Sequence, residues 1–419
     1  MTDDQVEWVP PPRPEWLVRV NDEGRHMDIA ALVPLDPDEL IATAKRSTGF
    51  SDFGDERWRE PFQILVKSLD EEAQLHFFGR LMTRNDLLNH LRALLQIQHV
   101  FKRHPEIAQQ KIDRPLFIAA VPRSGSSILF ELLSLDPGFG SPRQWEMMFP
   151  CPPPEKSTYE TDPRIAKCQH LIQQWTRVAP SLATIHEMDA RLPNECIFAQ
   201  AISFTSEYFP SQYQIPSYIQ WLATKADWSW SYGFYKRVLQ VLQWRNPRRH
   251  WLLKAPSHLN YLPTIFEIFP DARVLLTHRD PVVAQASVTN LMGTLFWIRS
   301  DKPMEVKAFA GMLSPEAMAF GLNRTIDWLE SGAIPKDQCM SSLYADLIQQ
   351  PVEAIRKIYD KGGLDFTPAH EARIRDYLAA KPQGKHGRHA YSVAEAEEAA
   401  RRRNLFKRYQ DYFGVPNEI

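Results

Sequence analysis

Apolar positions fall into two repeating patterns along the chain. From Pro37 and Asp38 through Gln98 they recur every three or four residues, with Leu87, Leu88, Leu91, Leu94 and Leu95 forming one stripe. That spacing predicts a helical layer whose stripe packs on a partner, and Asp86, just ahead of it, is a candidate N-cap. At Arg114 and Pro115 the pattern changes. Leu116-Phe117-Ile118-Ala119-Ala120-Val121 is unbroken and apolar, as in a strand covered on both faces. Trp251-Leu252-Leu253 leads into Lys254, Arg273-Val274-Leu275-Leu276-Thr277 leads into His278 and Arg279, and Met340 to Tyr344 is a weaker strand candidate. Each is followed by a helix-like segment, which predicts an α/β fold with a parallel sheet and flanking helices.

Residues 1–18, rich in Pro and Trp, are expected to form an irregular arm. Between the first two strands lie roughly 130 residues, far longer than an ordinary βα connection. They hold Pro150, Pro152, Pro153 and Pro154 with Trp145, Trp175, Trp221, Trp228, Trp230 and Trp244. A helical insertion at about 145–248 is therefore predicted within an α/β domain of residues 111–419, preceded by a helical extension, residues 1–110, packed on the core. The tryptophans could line an acceptor pocket, but large aromatics more often fill a core.

Composition narrows the function classes. The chain has 419 residues, 44% hydrophobic and 24% charged, which excludes a disordered or fibrous protein. Its 49 Lys plus Arg nearly balance 51 Asp plus Glu, so no global field draws it to nucleic acid or a membrane surface. Any anion site must be local. Cys151, Cys168, Cys196 and Cys339 are far apart and suggest neither a zinc cluster nor a disulfide framework, so no metal is expected. With no signal-like N-terminus and no apolar run near the ~20 residues of a membrane span, a cytoplasmic protein is expected.

Candidate chemistry sits at strand ends. Val121-Pro122-Arg123-Ser124-Gly125-Ser126-Ser127 is followed by Ile128, Leu129, Leu132 and Leu133 at helical spacing. A strand, a Gly/Ser turn and a helix start present unpaired N–H groups and a positive dipole end to phosphate or sulfate. The same string could be a polar turn with a serine cap. Downstream, Arg279 stands at a parallel strand's carboxyl end, Asp280 and Pro281 suit the start of a helix, and Ser287 lies about two turns into it. Arg279 could equally be surface charge paired with an acid. The basic run Arg401-Arg402-Arg403 with Lys407 and Arg408 is expected to be mainly a solvated helix face.

These residues resemble the sulfotransferases that use 3'-phosphoadenosine 5'-phosphosulfate (PAPS), most of all their bacterial and tyrosylprotein-like branch. The resemblance rests on Pro122 to Ser127, Lys254-Ala255-Pro256, Phe269-Pro270-Asp271-Ala272-Arg273, Arg279-Asp280-Pro281 with Ser287, Tyr344-Ala345-Asp346-Leu347 with Pro351, and Gly384-Lys385-His386 to Tyr391-Ser392. It spans roughly residues 112–415, and its strength lies in the order of these motifs. It implies a P-loop-like α/β core in which Arg123, Ser124, Gly125, Ser126 and Ser127 hold the 5'-phosphosulfate. Arg279 and Ser287 would hold the 3'-phosphate, and Lys385 or Arg388 would close over the nucleotide. Cytosolic members carry Lys where Arg123 stands, and a forked guanidinium is not an equivalent donor.

The implied reaction passes a sulfuryl group to a hydroxyl or amine by in-line displacement and releases adenosine 3',5'-bisphosphate. Lys254 is the candidate stabiliser of the transferring group, without a metal. Glu146, His186 and His258 are the candidate bases, Glu146 by likeness to the tyrosylprotein branch and His186 to the cytosolic one. The expected acceptor is a small molecule with an apolar or aromatic part; nucleic acid is not expected as a partner, and a homo-oligomer is possible. Two rivals remain open on the residues alone: a P-loop kinase or nucleotide phosphotransferase, though the Walker Lys-[ST] pair is missing, and a non-catalytic nucleotide-binding protein of the same fold.

Overall fold

A computed structural model describes residues 8–185, 187–305, 309, 314–380 and 396–418. Its sheet contains β1 (Leu116–Ala120), β2 (Phe139–Gly140), β3 (His250–Ala255), β4 (Arg273–His278) and β5 (Cys339–Leu343). The strands are parallel throughout and run in the order β2-β3-β1-β4-β5. The sequence-predicted strands are all present. β2 is the addition, a two-residue edge strand too short to leave an apolar run.

Strand alternation divides the core. Phe117 and Ala119 of β1, with Leu253, Ala255, Val274 and Leu276, face one apolar cluster; Leu116 and Ile118, with Leu252, Leu275 and Met340, face the other. On the second face lies the helix Ser126–Ser134, through Leu129, Leu132 and Leu133, beside Ile355 and Ile358 of the helix Pro351–Gly362. On the first face lie Leu262 and Ile265 of the helix Leu262–Ile268 and the long helix Trp228–Trp244. Because Lys254 pairs in register with Ile118, its side chain emerges beside the start of the helix Ser126–Ser134.

Every described element between Gly140 and His250 is a helix or helical turn. Trp145 is fully buried, Trp175, Trp221 and Trp230 nearly so, and Trp228 and Trp244 pack partly buried against the core. The tryptophans therefore fill the interior instead of lining a pocket. Core packing continues from these helices into the N-terminal layer, where Trp58 and Phe62 meet Phe204 with ring centroids 6.1 Å and 4.8 Å away.

Two expectations in that layer change. The arm becomes helical at Glu15–Gly24. Asp86 is no cap: the Leu stripe belongs to a longer helix, Phe77–Arg103, capped by His76, whose Nδ1 accepts from Gly79 N at 2.8 Å. Asp86 instead meets the fully buried Arg299, with Nη2 to Oδ2 at 3.0 Å, while Nη1 donates to Gln212 Oε1 at 3.1 Å. Burial opposes the guanidinium's charge, but Tyr213 and Asp86 outweigh it and hold Arg299 above its ordinary range. Close approach accompanies the pair: His76 N donates to Arg299 O, and a Cβ on Gly79 would lie 2.0 Å from that oxygen.

The basic run is mostly the solvated face expected, with Arg401, Lys407 and Arg408 exposed and Arg403 largely covered. The helix Ala396–Phe413 lies against Pro315–Ser331, with Arg401 on Glu316 at 3.0 Å and Arg408 on Asp327 at 2.7 Å and Glu330 at 3.0 Å. Phe406 and Tyr409 bury its inner face. The helix docks through this apolar face while most of its basic residues lie outward.

Removing one partner of a buried ion pair leaves the other without compensation. Arg299→Ala should cost about 3–5 kcal/mol in urea unfolding, and Asp86→Leu with Arg299→Met should recover much of it.

Candidate active site

The loop after β1 is held by specific bonds. Val121 N donates to Thr277 O at 3.3 Å, Ser124 N to Val121 O at 3.2 Å, and the buried Ser124 hydroxyl meets Thr277 Oγ1 at 2.5 Å. Ser124 thus fastens the loop to β4, with its hydroxyl already engaged. Arg123 has φ 64°, a left-handed conformation uncommon for a residue with a Cβ, and Gly125 has φ 76°. At Gly125 the requirement is twofold, because a Cβ would also lie 2.9 Å from the Tyr344 ring.

Gly125 is the N-cap of Ser126–Ser134, and no side chain caps that helix. This separates the two sequence readings: a serine-capped turn would satisfy the first N–H groups internally, whereas a glycine cap leaves them to an external anion. Ser126 is buried at the helix start, and Ser127 faces outward.

Lys254 lies at the end of β3 with only 3% exposure. Its Nζ is 3.3 Å from Ser127 Oγ and 2.6 Å from Glu195 Oε1. Arg279, past the end of β4, donates through Nη1 to Arg123 O at 2.9 Å, and its guanidinium lies 4.1 Å from the Tyr344 ring centroid. The fold therefore brings together the loop, Lys254 and Arg279.

Carboxylates balance these cations. Glu418 receives Arg279 through Nε and Nη2, each at 2.8 Å at closest. Asp280 caps the helix Pro281–Trp297 by accepting from Val282 N, as its sequence position suggests, and also receives Arg403 through both terminal nitrogens at 2.8 and 2.9 Å. Glu418 N donates to Asp280 Oδ2 at 2.8 Å, so the segment after the last described helix lies across the end of β4. His278, beneath it, bonds through Nδ1 to the Tyr409 hydroxyl at 2.8 Å; burial lowers its pKa to about 3, so it remains neutral.

The candidate bases occupy different settings. Glu146 has no exposed surface: it accepts from Arg143 N at 2.9 Å and the Tyr159 hydroxyl at 2.7 Å, and pairs with Arg248 Nη2 at 3.1 Å. Its carboxylate closes a capping box at the helix Gln144–Met148. His258 is also fully buried, with Nδ1 2.7 Å from the Tyr232 hydroxyl. Burial and the Lys254 charge lower its pKa to about 3, which makes it a weak proton acceptor.

His186, Lys385 and Arg388 lie outside the described residues. Ser287 is in the helix Pro281–Trp297, at the expected distance past Arg279.

Sequence reasoning missed Glu195, Tyr344 as a ring between Gly125 and Arg279, and the Glu418 and Arg403 contacts. Tyr344 did lie within a motif quoted for the resemblance. Glu195 has no local signal, because only the fold of the insertion brings it to Lys254.

Residues 115–368 match the sulfotransferase family. Omega-hydroxy-beta-dihydromenaquinone-9 sulfotransferase Stf3 from Mycobacterium bovis and from Mycobacterium tuberculosis is 25% identical over 283 residues, which is 64% of this chain and 67% of that protein. The crystal structure of sulfotransferase STF9 from Mycobacterium avium aligns with TM-score 0.80 and 29% identity, covering 91% of this chain and 97% of that one. Sulfotransferase STF1 from Mycobacterium tuberculosis aligns with TM-score 0.73 and 27% identity, covering 89% and 98%. A kinase or a non-catalytic binding protein is not favoured by these relationships. With its parallel core, its uncapped loop helix and this family match over more than half its length, the chain belongs to the sulfotransferase family and is an enzyme of sulfuryl transfer.

Proposed function

We propose that the sulfonate donor of this enzyme is PAPS and that the acceptor is a hydroxyl on a small, largely apolar molecule. The observation that carries the donor assignment is the bond from Arg279 to Arg123 O, which joins two cationic places at neighbouring strand ends. A donor with a phosphosulfate at one end and a 3'-phosphate at the other needs two such places at fixed separation.

In this reading the uncapped N–H groups of Gly125, Ser126 and Ser127, with Arg123, receive the 5'-phosphosulfate. Ser124 keeps the loop in shape through Thr277. Arg279 takes the 3'-phosphate with Ser287, and Lys385 or Arg388 closes from outside. Lys254 donates to the transferring group, where its buried charge acts more strongly than it would in water. The acceptor oxygen attacks sulfur, the bond from sulfur to the 5'-phosphate oxygen breaks, and that electron pair leaves with adenosine 3',5'-bisphosphate. The acceptor class is supported by the mycobacterial relative named for a hydroxylated menaquinone. No helix among the described residues is long and apolar enough to cross a membrane.

Calorimetry with adenosine 3',5'-bisphosphate and ATP tests the donor: the bisphosphate should bind more tightly, without a magnesium requirement, and absence of bisphosphate binding would overturn the assignment. Charge-assisted hydrogen bonds contribute about 1.5–3 kcal/mol each, so Arg279→Ala should weaken the bisphosphate at least about tenfold while leaving adenosine 5'-phosphate nearly unchanged. Glu418→Gln should act oppositely. Its carboxylate must yield Arg279 to a 3'-phosphate, and a partly exposed pair of this kind is worth at most about 1 kcal/mol, so titration should show roughly threefold tighter binding.

A further inference from the structure

We propose that Glu195 is the general base that takes the proton from the acceptor. This rests on the donor assignment above. Glu195 Oε1 is 2.6 Å from Lys254 Nζ, and Nζ is 3.3 Å from Ser127 Oγ. The carboxylate thus lies within about 6 Å of the loop that would hold the phosphosulfate, on the side where Lys254 would meet the sulfuryl oxygens.

Glu195 differs from the two described alternatives in having room to act. The carboxylate of Glu146 is enclosed by three partners, and His258 is fully buried against Phe117 and Tyr232. Glu195 keeps 18% of its side chain exposed, and Oε2 has no hydrogen-bond partner among the described residues. An ionised carboxylate with one oxygen held and one open has the form needed to orient an acceptor hydroxyl and remove its proton.

The surrounding backbone fixes its position. Glu195 N donates to Asn194 Oδ1 at 2.6 Å, Asn194 Nδ2 donates to Gln144 Oε1, and Cys196 N donates to Lys254 O at 2.9 Å. Glu195 is therefore joined to the same strand end that carries Lys254, through both the side chain and the adjoining peptide. The lysine serves both partners, holding one oxygen of the base in place and facing the transferring group. As the acceptor oxygen bonds to sulfur, its proton passes to Glu195 Oε2, and the electron pair of the breaking bond from sulfur to the bridging oxygen departs on the 5'-phosphate.

The rival role is that of a counterion only, which would position Lys254 and take no proton. Water can serve as the acceptor probe: release of labelled sulfate from PAPS is measured against pH, beside calorimetry with adenosine 3',5'-bisphosphate. Glu195→Gln should keep bisphosphate affinity within threefold, slow sulfate release by about 100-fold, and abolish the fall in rate that the parent shows towards acid pH. Glu195→Asp, which keeps the charge but withdraws it by one methylene, should be slowed less and keep the acid fall; it also serves if the Gln variant does not fold. Sulfate release by Glu195→Gln within threefold of the parent, or equal losses of rate and nucleotide affinity, would overturn the proposal in favour of the counterion role. A parent enzyme that fails to bind the bisphosphate would instead defeat the donor assignment, and this proposal with it.

Discussion

An uncapped helix start at the carboxyl edge of a parallel sheet governs the rest of the site. Leaving the first N–H groups of Ser126–Ser134 without a side-chain acceptor concentrates positive potential there, and Lys254 and Arg279 add full charges beside it. Without a nucleotide, such a cluster would repel itself. Each cation accordingly has a carboxylate of its own: Glu195 for Lys254 and Glu418 for Arg279, with Arg403 and Asp280 paired alongside. This local balance fits a chain whose formal net charge is only -2.

The insertion and the N-terminal layer can be understood through the same site. The insertion supplies Glu195 from a chain segment far in sequence from the sheet, and it stays in place because its tryptophans and tyrosines are packed into the core. The N-terminal layer packs on the insertion where Trp58 and Phe62 meet Phe204, and it is tied to the end of the helix Pro281–Trp297 by the Asp86–Arg299 pair and the close approach at Gly79. The Pro- and Trp-rich middle of the chain is thus a support for a polar residue, more than a pocket wall.

What could be read from the sequence follows from how local each cause is. The strands were legible because a strand buried on both faces must be apolar throughout, and Asp280 was legible as a cap because it acts on Val282, two residues away. Asp86 stands just ahead of a Leu stripe that is only the later part of its helix, and the actual cap is His76, outside the usual set of capping residues. The setting of Glu146 has no local signal: Arg143 is its sequence neighbour, but only the structure brings Tyr159 and Arg248 to its carboxylate. Glu195, Glu418 and Arg403 owe their places to contacts between residues 59 to 139 positions apart. No spacing rule reaches that far.

The Glu418–Arg279 contact also bears on how quickly the enzyme can be used again. A carboxylate tethered beside a cation is present at high effective concentration, and competes for it without diffusing in. Under the proposed donor assignment, once a spent nucleotide loosens its 3'-phosphate the tethered group would recapture Arg279 before the phosphate returned, and separation would proceed one contact at a time. Tight capture and prompt release are ordinarily opposed. In that reading an internal competitor would move the site towards release, giving up some affinity in exchange for a shorter residence of product.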